Sequence, residues 1–183
     1  MTNPVNLNMA YLYNHFFDTE DLTITKISLD DAVRFHEICN QSFVLKWMPD
    51  WQSSFEEAEN LIKFFLQGYV SMNPELHPLL LAIRLKRDNI LVGVCGYGEK
   101  KEIGNEIEIC YFIDENHSGQ GYMGQVITKA IDFYFDLTKK SYLCAMVDKN
   151  NIASYSLLVK NGFKGFNYNT EANRIQSHYR VYR

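Results

Sequence analysis

Apolar positions along the chain change period several times, and each change marks an element. LTITKIS at 22–28 alternates apolar with polar and is rich in β-branched residues, which predicts a strand. In DDAVRFHEICN the period becomes helical, with Ser28 or Asp30 placed to cap it. After the loop LKWMPDWQ, Ser53 or Ser54 precedes Glu56 and Glu57 in a first turn. Leu61, Phe64, Phe65 and Val70 then complete a capped amphipathic helix. LLLAIRLK from 79 and ILVGVCGYG read as two strands joined across RDN, because Asp88 and Asn89 accept turn geometry cheaply. NEIEICYFID at 105–114 is a third strand. YMGQVITKAIDFYFDL then carries Val126, Ile127, Ala130, Ile131 and Tyr134 on a helical stripe. YLCAMVD at 142–148 is the next strand, and NIASYSLLVKN is a helix that stops at Gly162. FKGFNYN and SHYRVYR are two closing strands. The first 20 residues, rich in Asn, Tyr and Phe, fit no period and are expected to be an N-terminal arm or extension, with one domain over 21–183.

This order predicts an α/β fold of the α+β kind, with a mixed, mostly antiparallel sheet of six to seven strands flanked by about four helices. A length of 183 residues suits one such domain and is short for two. With 46% hydrophobic and 22% charged residues the chain reads as globular, and no apolar run approaches a bilayer span, so no membrane partner is expected. The N-terminus lacks a basic leader followed by an apolar stretch, which places the expected location in the cytoplasm. A formal charge of −4 offers no platform for nucleic acid. Cys39, Cys95, Cys110 and Cys144 are far apart with no CxxC pair, which argues against a zinc site or a redox pair; no metal is expected.

The chemistry concentrates in ENHSGQGYMGQ at 115–125, where Gly119, Gly121 and Gly124 fall between a strand and a helix. Such a cluster serves a strained turn, a bound phosphate, or both. Gly119 to Gly124 is a literal GxGxxG, and Asp148 ends the next strand as a ribose-binding acid would. Only 35 residues follow Asp148, however, and Glu106-Ile-Glu108-Ile-Cys110 alternates acid with apolar, unlike a strand inside a parallel sheet. A nucleotide-hydrolysing loop fails because Gln125 and Val126 stand where Lys and Ser/Thr are needed. A turn that binds nothing is the remaining reading.

Taken together, IEICYFIDENHSGQGYMGQVITKAIDFYF, Asn151-Ile-Ala153-Ser154 and Lys160-Asn161-Gly162-Phe163 resemble the GNAT superfamily of acetyl-CoA-dependent N-acetyltransferases. The resemblance spans roughly residues 20 to 183 and is closest to the branch that includes the ribosomal-protein N-terminal acetyltransferases. The family turn, Arg/Gln-x-x-Gly-x-Gly/Ala, falls on Ser118 to Met123. Ser118 therefore replaces the opening Arg or Gln, Met123 replaces the closing small residue, and Gly124 follows one place late. The resemblance implies acetyl-CoA as co-substrate, bound by backbone N–H groups of Gly119, Gln120, Gly121, Tyr122, Met123 and Gly124 at a helix N-terminus without metal. Ser118, Asn151 and the strand end Tyr111, Phe112 and Ile113 are assigned to it as well. The implied acceptor is a primary amine, either a protein N-terminus or a small amine. Trp47 and Trp51 border its cleft, and a homodimer is left open.

Amine acetylation needs a base, a polarised thioester carbonyl and a proton for the departing thiolate. Strict alternation puts Glu106, Glu108, Cys110, Phe112 and Asp114 on one strand face. Glu108 is the candidate base and Glu106 the second, against the reading that both are solvated sheet residues. A bulge near Cys110 would free a backbone N–H for the thioester oxygen. Leu158 stands where many relatives have a proton-donating tyrosine. The resemblance therefore assigns that role to Ser154, with Tyr155 as fallback, against simple helix capping by Asn150 or Asn151. His117 is a phosphate contact or an exposed loop residue. A non-catalytic acyl-CoA-binding module and an NAD(P)-dependent oxidoreductase are the alternatives.

Overall fold

The computed structural model describes residues 14–166 and 176–183. Among these, eight strands form one sheet in the order β1-β2-β3-β4-β5-β6-β8-β7. They are β1 (His15–Asp18), β2 (Leu22–Lys26), β3 (Leu79–Leu85), β4 (Leu91–Lys100), β5 (Glu106–Ile113), β6 (Tyr142–Asp148), β7 (Lys164–Phe166) and β8 (Gln176–Tyr182). Five helices accompany them: α1 (Ala32–Cys39), α2 (Ser42–Leu45), α3 (Phe55–Ser71), α4 (Tyr122–Thr138) and α5 (Ile152–Lys160). The count exceeds the expected six to seven strands and four helices. The additional elements are short, namely the four-residue edge strand β1 and the four-residue helix α2. β1 lies inside the segment expected to be an arm and pairs antiparallel with β2. Residues 1–13 of that arm, and 167–169 of the strand expected over FKGFNYN, lie outside the described residues.

Helices pack on both faces of the sheet, and the strand period assigns the faces. Val94 sits opposite Phe112 and Tyr97 opposite Ile109, so these two pairs point to opposite sides. The Phe112 ring meets Phe35 of α1 and Trp51, with centroids 6.5 and 4.9 Å away. Tyr97 donates its hydroxyl to the Ala130 carbonyl of α4 at 2.7 Å. Helix α3 begins as the sequence predicts. Ser54 Oγ accepts from Glu57 N at 3.3 Å, and Glu57 Oε2 accepts from Ser54 N at 2.7 Å. The core between the layers is fully enclosed at Ile24, Phe35, Ile62, Leu80, Ile83, Val126 and Leu143.

One seam positions the site. Every strand pair is antiparallel except β5 with β6, which run parallel and share a single partnered pair, Glu108 with Cys144. Beyond it no residues of β5 and β6 are partnered, and Ile113 and Asp148 at the strand ends both line one cavity. Part of the reason is local: the Met146 N–H donates to Glu108 Oε1 at 3.1 Å, so a side chain takes the place of a ladder carbonyl. The β4–β5 register runs unshifted from Lys100–Glu106 to Gly93–Ile113, so β5 has no bulge against β4 at Cys110. The fork with β6, rather than a bulge, opens the backbone there.

Candidate active site

A cavity of about 860 Å³ lies at the fork. It is walled by the glycine turn, by β5, β6 and the start of α5, and by the segment around α2. Its volume is in the range of small-molecule sites.

The turn is built on Asp114, whose side chain is wholly enclosed at the end of β5. The carboxylate accepts from Gln41 Nε2 at 2.6 Å, from the His117 ring Nδ1 at 2.7 Å and from Asn116 N at 3.3 Å, and it pairs with the Arg34 guanidinium. Burial works to raise the Asp114 pKa, but these hydrogen bonds and the Arg34 charge outweigh it and hold the carboxyl below the usual value. From this anchor the chain makes a 3-10 turn over Glu115–His117 and reaches Gly119 and Gly121 with φ of 71° and 79°. Those angles favour glycine. A Cβ at either position would meet nothing within 4 Å, so open space lies beside the turn.

Gly121 is also the N-cap of α4, and the N–H groups of Tyr122, Met123 and Gly124 precede the first intrahelical bond, Gln125 N to Gly121 O at 3.3 Å. Donors of this kind, at the positive end of a 17-residue helix and beside open space, suit a pyrophosphate without a side-chain cation. The residues therefore fit coenzyme A. Ser118, Gly119, Gly121, Tyr122, Met123 and Gly124 all face the cavity. Gln120 does not, since it is exposed and donates to Asn116 O at 3.1 Å. His117 is a wall as well. It is held by Asp114 and mostly enclosed, which differs from an exposed loop residue.

At the fork, β5 contributes Glu108, Tyr111, Phe112 and Ile113 to the walls, and α5 contributes Asn151 and Ser154. The two glutamates separate clearly. Glu106 lies outside the cavity walls, ion-paired with Arg180 and accepting from the Cys144 thiol at 2.7 Å. Burial opposes its ionisation, but Arg180 and Cys144 hold its carboxyl below the usual range. The Tyr111 and Ser154 hydroxyls are 2.8 Å apart. Burial pushes the Tyr111 phenol up to about 12 although the bond to Ser154 works against it, so at neutral pH the phenol keeps its proton.

Asn151 caps α5, its Oδ1 accepting from Ser154 N at 3.1 Å, so capping and cavity lining coexist in one residue. Leu158 is core, and Tyr155 packs against Tyr179 at 5.8 Å between centroids, away from the cavity walls. The Cys110 thiol is pushed up to about 12 by burial, with the Glu108 charge adding to it, which leaves it a poor nucleophile.

Trp47 and Trp51 both line the cavity. Trp51 is also wedged among Phe35, Phe65 and Phe112, with centroids 6.1, 6.3 and 4.9 Å away, so one face serves the core while the residue walls the pocket. Lys46 lies 4.7 Å over the Trp47 ring. Among the described residues no group of three or more His, Cys, Asp or Glu is placed to hold a metal ion, and no helix is long and apolar enough to cross a membrane.

The residues that sequence reasoning missed are Asp114 as an anchor, with Arg34 and Gln41, and Tyr111 as the partner of Ser154. Asp114 before Asn116 carries the local signature of a side-chain-capped turn. Its partners lie 80 and 73 residues earlier, where no spacing rule connects them.

Comparison with known proteins agrees with this geometry. The profile of the acetyltransferase (GNAT) domain matches residues 21–164. The chain is 26% identical over 145 residues to an uncharacterized N-acetyltransferase, p20, of Bacillus licheniformis, covering 76% of this chain and 77% of that protein. It is 25% identical over 126 residues to the ribosomal-protein-serine acetyltransferase of Escherichia coli (strain K12), covering 69% of each. Among solved structures, RimL, a ribosomal alpha-N-protein acetyltransferase in complex with coenzyme A, has a TM-score of 0.75 at 16% identity over 92% of this chain and 98% of that one, which shows a shared fold. The literal GxGxxG sits after a strand paired antiparallel with β4, not inside a parallel doubly wound sheet, so the dinucleotide reading falls. With a profile match over most of its length, a forked mixed sheet and a glycine turn opening α4, the chain belongs to the GNAT acetyltransferase family.

Proposed function

We propose that the protein transfers an acetyl group from acetyl-CoA to a primary amine, by direct attack in a ternary complex. The observation that carries this reading is a single cavity lined by the glycine turn, by Trp47 and Trp51, and by Glu108, Tyr111 and Ser154 at the fork. The residues that would hold the co-substrate are the N–H groups from Gly119 to Gly124, with Ser118, Asn151 and the edge of β5 from Tyr111 to Ile113. Acetyl-CoA supplies the acetyl group as an activated thioester.

The chain's own residues do the rest. Glu108 takes a proton from the incoming amine, directly or through a water. An α-amine titrates near 8 and a lysine-type amine near 10, so a base is needed at neutral pH. Tyr111 keeps its proton at neutral pH, and in the arrangement where it donates to Ser154 Oγ the Ser154 O–H is free to point at the departing sulfur. Direct attack, rather than an acyl-enzyme, fits the protonated Cys110 thiol. The name of the Escherichia coli relative, a ribosomal-protein-serine acetyltransferase, supports a protein N-terminus as acceptor over a small amine. Four free cysteines suit a reducing cytoplasm.

The test is a thermal melt with acetyl-CoA, CoA, NADPH and ATP in parallel, followed by a peptide and amine panel read by free-thiol release. A ligand at a hundred times its dissociation constant stabilises by about 2.7 kcal/mol. Acetyl-CoA and CoA are expected to shift the melt, and at least one N-terminal peptide to release thiol. Binding with no product from any amine would mean a non-catalytic acyl-CoA-binding module. A shift with NADPH alone would remove the reading altogether.

A further inference from the structure

Gln41 stands between α1 and α2 with every polar group committed, and its bonds run in two directions. Its backbone starts α2: the carbonyl accepts from Val44 N and Leu45 N, both at 2.9 Å, and its own N–H donates to Ile38 O at 3.2 Å. Its side chain holds the glycine turn, with Nε2 donating to Asp114 Oδ1 at 2.6 Å and Oε1 accepting from Glu115 N at 2.9 Å. Among the described residues these two bonds are the hydrogen bonds that join segment 41–51 to segment 114–121.

What lies downstream of each end gives the link its meaning. After Gln41, a run of backbone bonds carries the chain to the Trp47 and Trp51 wall: Lys46 N to Ser42 O at 3.0 Å, Met48 N to Val44 O at 3.0 Å and Trp51 N to Met48 O at 3.1 Å. Val44, Trp47, Met48 and Trp51 from this run face the cavity. After Glu115, the 3-10 turn leads within four residues to Gly119. One residue thus ties two walls of the cavity together, its side chain holding the turn and its backbone starting α2.

We infer that Gln41 is a positioning residue: coenzyme A seated on the glycine turn orders the acceptor wall, residues 42–51, through the Gln41 amide. This rests on the cofactor reading proposed above. The physical reason is what happens when the wall lifts away. Asp114, enclosed and charged, loses one of its donors, and the Glu115 N–H loses its acceptor, so the turn itself is destabilised. The start of the wall has few apolar anchors, since α2 is four residues long, Val44 is its buried residue and Phe43 is 36% exposed, whereas Trp51 at its end is wedged among Phe35, Phe65 and Phe112. The α2 stretch between Gln41 and the Trp51 anchor is of the kind that opens at low cost. A ligand that binds only the formed turn therefore draws the population toward the docked wall.

Hydrogen–deuterium exchange on the full chain tests this with CoA alone as the probe, so no acceptor has to be known. In the natural sequence, saturating CoA is expected to slow exchange at 114–125 and also at 42–51. In Gln41→Ala, CoA is expected to slow 114–125 still, while the CoA-dependent protection at 42–51 is lost. Gln41→Asn, one methylene too short to reach both partners, is expected to match Gln41→Ala, and melts of both variants without ligand establish that each is folded. Equal protection of 42–51 in the variants would overturn the inference, as would no protection of 42–51 in the natural sequence when 114–125 is protected. No protection at 114–125 in any of the three proteins would strike the cofactor reading first, and this inference with it.

Discussion

The hydroxyls of Tyr111 on β5 and Ser154 on α5 lie 2.8 Å apart, although 43 residues separate them in sequence. Burial keeps the phenol protonated and both residues line the cavity; on the proposed mechanism the pair acts as one donor unit. Ser154→Ala is expected to lower kcat by roughly a hundredfold, the lower range for a general acid, with the KM for acetyl-CoA little changed. Tyr111→Phe should lower kcat less. The double variant should be no slower than Ser154→Ala, because residues acting as a unit are not additive. Steady-state thiol release measures all three, and fully additive losses would show that the two hydroxyls act separately.

Glu108 and Glu106, two residues apart on β5, are expected to fail in different ways. Glu108→Gln should cut turnover by about a hundredfold or more and leave the melt near its starting point. Glu106→Gln leaves Arg180, mostly enclosed between the Tyr142 and Phe166 rings, without its charge partner. Breaking one side of such a pair costs roughly 3 kcal/mol, so this variant should melt early and keep its turnover when folded. A slow but stable Glu106→Gln would exchange the two roles.

Gly121→Ala places a Cβ on a residue with φ of 79° and open space around it. The cost is backbone strain rather than collision, about 1 to 2 kcal/mol. The CoA-induced rise in melting temperature should shrink beyond that loss, since the same Cβ stands where a phosphate would approach. Isothermal titration with CoA separates the two effects, and unchanged affinity would move the phosphate elsewhere.

Asp114 ties stability to pH with a definite sign. Its folded-state pKa lies below that of the unfolded chain, near 3.9, so the stabilisation is complete above the unfolded value and is lost as pH falls through the folded one. Acid unfolding below about pH 4 should therefore be less steep in Asp114→Asn, whose stability at neutral pH is already reduced. Denaturant titrations from pH 7 to pH 2 provide the curve; parallel curves for the two proteins would assign the acid sensitivity to other carboxylates.

The strands β2 to β6 and the helices α1, α3, α4 and α5 were legible because their apolar periods are long and their caps local, as at Ser54 with Glu57. β1 was not: HFFD is four residues at a sheet edge, too short to show a period, and Gln125 on α4, which accepts from Thr19 Oγ1 at 2.8 Å, helps hold the turn that follows it. The glycine turn could be located from Gly119 and Gly121, but not its foundation, since Arg34 and Gln41 reach Asp114 only through tertiary packing. Strand alternation put Glu106 and Glu108 on one face and stopped there. Which of them meets the cavity depends on Arg180, 74 residues from Glu106, and on how far β6 stays beside β5.

The fork has a mechanical consequence. Strands β1 to β5 carry their own ladders, and so do β6, β7 and β8, yet along the backbone the two blocks share one partnered pair, the rest of the join being made by side chains: Glu108 with Met146 N, and Glu106 with Cys144 and Arg180. As a backbone ladder the sheet is two plates joined at one point, with the candidate site beside it. On the proposed function a ligand in the fork would act as a rivet between them, and binding would tighten the coupling of the two blocks.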